Sequence, residues 1–243
     1  MQASASPGLY RDVPRWLWLW LPLGIVVILL LAAPLGEPLN DPMYSEMGLV
    51  ENLTVVFLVV AVVVGIRIAR RDLPIPRLRW WIILLTVGCV YFAGEELSWG
   101  QHYIGWKTSA VWKILNDRQQ ETNFHNMLGV FNGLPRALLT LGALVGGILV
   151  PLARQRGTRR WPASRAAYWL WPTVVCTPAC VLALLSTVPK KVVEIAGLEL
   201  TSPFIMRAGE TKECFLALFL MLYLYSIFVR LRQWGAPDGP SAT

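Results

Sequence analysis

Six stretches of the chain are apolar and carry no charge: residues 17–36, 52–66, 80–94, 137–153, 166–189 and 214–229. Recurring runs of this kind predict helices threaded repeatedly through a bilayer, where each backbone polar group is satisfied within its own helix. The first run has 20 residues, longer than the roughly 7–15 residues of a signal-peptide core. It also lacks a small-residue cleavage motif, so a retained helix is expected. The predicted fold class is all-α, a polytopic six-helix transmembrane bundle over residues 14–234. Residues 1–13 and 235–243, rich in Gly, Pro, Ala and Ser, read as flexible tails. The first three runs do not resemble the last three, which counts against an inverted-repeat transporter.

Composition narrows the class. Hydrophobic residues make up 55 % of the 243 residues and charged ones 15 %, with a mean hydropathy of +0.50. A soluble domain carries about 25 % charged residues. A disordered chain, a coiled coil, a disulfide scaffold and an ordinary soluble enzyme are excluded. The net charge of +7 raises nucleic acid as a partner, but no nucleic-acid-binding signature is present. Instead, 14 of the 22 Lys and Arg residues fall at one set of run ends, around Arg15, Arg67–Arg79, Arg154–Arg165 and Arg230. The positive-inside rule then places both termini in the cytoplasm, with the chain a multi-pass protein of the bacterial inner membrane. Of the 15 acids, only Asp12, Asp72 and Asp238 lie on that side; the other 12, and both histidines, lie outward. The four cysteines sit inside apolar runs without metal-finger spacing.

Run length points to a site. Runs two, three and six have 15, 15 and 16 residues, or roughly 22–24 Å of helix against a hydrocarbon core of about 30 Å. Each needs about one more turn, and the arginines place that turn at the outer end. The added turns carry Glu51, Glu95 with Glu96, and Glu210 with Glu213. Two readings follow. Either the helices end early and the acids sit among headgroups, or carboxylates from three helices face a shared wet cavity.

A structured outer loop is expected between spans three and four. It holds Glu95-Glu96-Leu97-Ser98-Trp99-Gly100-Gln101-His102 and Glu121-Thr122-Asn123-Phe124-His125-Asn126. On a continuing helix, Glu95, Ser98, Trp99 and His102 share one face. Glu121 and His125, at i and i+4, converge on one ion or proton. Glu95, Glu96, Glu121 and His125 are the candidate catalytic groups. Glu51, Ser98, Gln101, Asn123, Asn126, Arg136, Glu210 and Glu213 are candidate binding groups. Arg136 leaves two alternatives. Either helix four starts at Pro135, with residues 126–134 an interfacial cap, or it starts near Met127 and Arg136 is a buried counter-ion for the glutamates.

The two loop motifs resemble those of a family of uncharacterised bacterial multi-span membrane proteins with no established activity. The likeness extends more loosely to the acidic start of run two and the Glu-x-x-Glu opening of run six. It implies a multi-span layout but supplies no function. That family carries arginine after the glutamine where this chain has His102, which favours His125 over His102 as a ligand.

Mixed carboxylate and imidazole groups suit a divalent metal, Zn, Mn or Fe, with Glu121, His125 and Glu95 as the candidate ligands. A Ser98–His102 nucleophile pair is weaker, since a serine at a helix end usually bonds backbone. Met221, Tyr223 and Tyr225 read as packing. Three functions are expected to compete. The first is a metal-assisted hydrolase or transferase on an outer-leaflet lipid or lipid-linked substrate. The second is a transporter or proton relay, and the third a non-catalytic assembly or binding subunit with a membrane-protein partner.

Overall fold

The apolar runs fold into helices, and the charged residues between them mark where the chain reverses. A computed structural model describes residues 13–32, 48–107, 129–156, 161–198 and 207–234. Among these, every regular element is helical. The principal helices are α1 (Trp16–Ala32), α2 (Leu49–Ala69), α3 (Pro76–Glu96), α4 (Gly133–Arg156), α5 (Ala166–Ile195) and α6 (Ala208–Trp234). Helices α2 to α6 are long and apolar enough to cross a membrane, whereas α1 is a shorter apolar helix. Residues 1–12, 108–128 and 235–243, which hold most of both expected tails and of the expected outer loop, lie outside the described residues.

Helix α6 runs up the middle. In its apolar window 83 % of the residues are buried, against 22 % in the windows of α3 and α4. Helices α2 and α5 pack against α6, and α3 packs against α2. A bilayer supplies little hydrophobic force between helices, so close backbone approach at small residues matters more. Gly65 on α2 meets Thr86 on α3 so closely that an added Cβ would lie 2.1 Å from the threonine Oγ1. Gly147 on α4 does the same with the Sγ of Cys180 on α5.

Two helices are irregular, and proline explains both. In α4 the turns over Ala143–Leu149 are widened to the π form. Pro151 has no N–H to return to the carbonyl of Gly147. The hydroxyl of Thr177 on α5 donates to that carbonyl at 2.8 Å. Helix α5 is fully interrupted. Trp171 and Thr173 are extended, with ψ of 139° and 170°, on either side of Pro172. The carbonyls this break would orphan are those of Tyr168 and Leu170. Helix α6 covers them: Arg230 donates to Tyr168 and the Tyr223 hydroxyl to Leu170. Thr173 and Ser226 share a hydrogen bond of 3.1 Å beside them. Tyr223 in turn accepts from the indole N–H of Trp81 on α3 at 2.7 Å. It therefore ties three helices together and does more than the packing expected of it.

Gly65→Ala is expected to destabilise the protein by about 1–3 kcal/mol through overpacking. Thr86→Ala in the same chain is expected to restore most of that loss. Unfolding midpoints of the purified protein in micelles check both.

Candidate functional site

Helices α2, α3 and α6 run through the turns that carry the outer glutamates. Glu51 lies in the first turn of α2, Glu95 and Glu96 close α3, and Glu210 lies in the first turn of α6 with Glu213 one turn on. Glutamates at the starts of α2 and α6 also complement the positive ends of those helix dipoles. Arg136 comes to the same end from α4. Helical turns there already begin at Gly129, with Pro135 inside the helix, so α4 does not start at the proline. The Arg136 guanidinium bonds the Glu213 carboxylate at 2.7 Å, their side chains 51 % and 12 % exposed. Arg136 is thus a counter-ion to Glu213, as one sequence alternative had it, but it is half exposed and not buried.

Glu96 is the centre of this group. It lies within electrostatic reach of Glu213, Glu51, Arg136 and Glu210. Glu210 itself is held by Arg207 at 2.7 Å. Glu95 is held differently. It is 6 % exposed, and its Oε1 accepts the indole N–H of Trp99 at 2.7 Å.

The expected continuation of α3 is not observed, and the backbone gives the reason. The helix ends at Glu96, and Ser98, Trp99 and Gly100 then take φ of 44°, 56° and 100°. Three successive residues in the left-handed region reverse the chain, so Glu95, Ser98, Trp99 and His102 do not share a helical face. Left-handed non-glycine residues cost of order 1–3 kcal/mol each and persist where their surroundings fix them. Here Trp99 folds back over Gly94, whose missing Cβ would lie 3.0 Å from the indole. Ser98 is 1 % exposed beneath the turn. The motif from Gly94 to Gly100 is thus a helix stop built around one indole. Gln101 opens the short turn Gln101–Ile104 that follows. Glu121, Asn123, His125 and Asn126 lie outside the described residues, and so does the side chain of His102.

Between α3 and α4 lies a groove of about 930 Å³. Helix α6 forms its floor through Leu216, Phe219, Leu220 and Tyr223. Glu95, Glu96, Arg136 and Glu213 line one end, and Trp81, Leu170, Trp171 and Pro172 line the other. The two ends are 15 residues apart on α3, from Trp81 to Glu96, or about 22 Å of helix rise. The space between is almost wholly apolar. Gly88 on α3 and Gly142 on α4 face it, and a Cβ on either would meet no atom within 4 Å.

Sequence reasoning missed the groove and the cross-links at its far end. Pro151 and Pro172, inside apolar runs, were the available signal. Each implies an orphaned carbonyl and therefore a donor on a facing helix. Among the described residues, no three His, Cys, Asp or Glu side chains gather in a way that could hold a metal ion. Compared with protein families, curated proteins and solved structures, the chain matches none.

Arg136→Ala is expected to destabilise the protein more than the double variant Arg136→Ala/Glu213→Gln does, because the single change leaves a partly buried carboxylate uncompensated. The coupling is expected at about 0.5–3 kcal/mol in a double-mutant cycle read by unfolding in micelles.

Proposed function

We propose that this protein is a membrane enzyme, a hydrolase or transferase, that holds a lipid or lipid-linked substrate in the groove between α3 and α4. The observation that carries the reading is the join of a long apolar groove to a charged mouth. Ligand sites combine apolar walls with a few polar groups that fix orientation. A hydrocarbon chain lies along Leu84, Gly88, Leu138 and Gly142, and the headgroup stops at Glu96, Arg136 and Glu213. Arg136 binds an anionic part of the headgroup, and Glu96 serves as general base toward water or an acceptor hydroxyl. In this reading α1 is a sixth span and both termini are cytoplasmic. The glutamate end then faces the outer leaflet of the bacterial inner membrane, in keeping with the bias of the basic residues.

The metal-assisted form of the reaction draws on Glu121 and His125, with Zn, Mn or Fe as the ion. Glu95, whose Oε1 accepts from Trp99, is the third candidate ligand for that ion. The transport reading has one observation in its favour, the interruption of α5 at Pro172, since broken helices line many transport paths. Against it, α6 carries no carboxylate, imidazole or hydroxyl between Glu213 and Tyr223, so nothing on that helix passes a proton along the groove floor.

The full-length protein purified in mild detergent is expected to carry a co-purified lipid, seen as a bound mass by native mass spectrometry. Gly88→Phe/Gly142→Phe, which fills the groove from both walls, is expected to lose that mass while keeping its helical circular dichroism and unfolding midpoint. A plugged variant that retains the lipid as the wild type does overturns the reading. Element analysis is expected to find about one equivalent of metal if the metal-assisted form holds, falling on His125→Ala.

A further inference from the structure

The mouth of the groove bears two unlike charges that are not equally satisfied. Arg136 and Glu213 are joined at 2.7 Å. Glu96 lines the same mouth, yet it forms no hydrogen bond or ion pair with any described residue. Three of the four charged groups that it feels, Glu213, Glu51 and Glu210, are themselves carboxylates. A carboxylate among carboxylates, partly withdrawn from water, is disfavoured until a positive charge is brought to it. On the other side, Arg136 is half exposed, and only one of its five N–H donors is accounted for by Glu213. Lys212 stands close to both Arg136 and Glu213 and adds to the positive side. The mouth therefore offers an anion position and a cation position side by side, directly above an apolar channel.

We propose that the lipid held in the groove has a zwitterionic headgroup, with its phosphodiester on Arg136 and a primary ammonium on Glu96. This rests on the lipid reading above and adds the class of lipid to it: the ammonium takes one Glu96 oxygen, and the other keeps the role of base. A primary ammonium has three N–H donors and can bridge Glu96 to a neighbouring carboxylate, whereas a quaternary ammonium has none to give. A purely anionic headgroup satisfies Arg136 but brings like charge toward Glu96. A neutral one leaves both positions unfilled.

The test is a competition. The full-length protein is equilibrated in mixed micelles with equal amounts of phosphatidylethanolamine and phosphatidylglycerol of identical acyl chains, and bound lipids are counted by native mass spectrometry. Phosphatidylethanolamine is expected to be bound at least about tenfold over phosphatidylglycerol, the ratio appropriate to hydrogen bonds on charged groups. Glu96→Gln, which keeps the shape but not the charge, is expected to bring the ratio close to one. Equal binding of the two lipids by the wild type, or an unchanged ratio in Glu96→Gln, overturns the proposal. The wild-type ratio decides the matter even if the variant does not fold. If both lipids bind equally but the Gly88→Phe/Gly142→Phe plug removes them, the headgroup assignment falls and the lipid reading stands. If the plug removes neither, both fall.

Discussion

Inside a bilayer a backbone carbonyl without a hydrogen bond has no water to turn to, and Pro172 creates that situation two turns into α5. Helix α6 resolves it with a short polar stripe. Arg230 and Tyr223 take the carbonyls of Tyr168 and Leu170, while Ser226 pairs with Thr173 between them. These contacts fix the register of α6 against α5 at one end of the bundle. Because Tyr223 also holds Trp81 of α3, they set the far wall of the groove as well. A helix is stiff, so the same register carries Glu213 about 10 residues, or roughly 15 Å, up to the mouth. The placement of Glu213 against Arg136 and Glu96 therefore depends on hydrogen bonds made at the opposite end.

The groove exists because α3 and α4 do not close on each other. Helix α3 is drawn toward α2 by the Gly65–Thr86 approach, and α4 toward α5 by Gly147 and Cys180. Both attachments pull the walls apart over α6. Large apolar side chains such as Leu84, Leu138 and Leu141 are left exposed along the opening. In water such a patch would be a liability; it is suited to contact with acyl chains. The apolar walls and the charged mouth thus come from the same packing.

Much of this was readable in the chain. The positions of α2, α3 and α6 follow from uncharged runs bounded by arginine, and the shortness of those runs correctly implied helical turns through Glu51, Glu95, Glu96, Glu210 and Glu213. What sequence could not supply was direction. Glu95 and Glu96 are adjacent in the chain and read alike, but at about 100° per residue they face different neighbours, Trp99 for one and the glutamate group for the other. The left-handed turn was also hidden. Ser98 and Trp99 have no special tolerance for positive φ, and the indole, packed on Gly94 and bonded to Glu95, holds the conformation. The interruption of α5 was misread as continuous helix because its composition is uniformly apolar, although Pro172 was in view.

Gly88 and Gly142 open onto the cleft from opposite sides with nothing beyond them. At Gly65 and Gly147 the missing side chain lets a neighbouring helix come close; at this pair it leaves space empty. The calibre of the passage is therefore set at two positions that bear no load in the scaffold. Side chains of graded size introduced there would narrow the bore stepwise while the contacts that hold the helices together stay as they are.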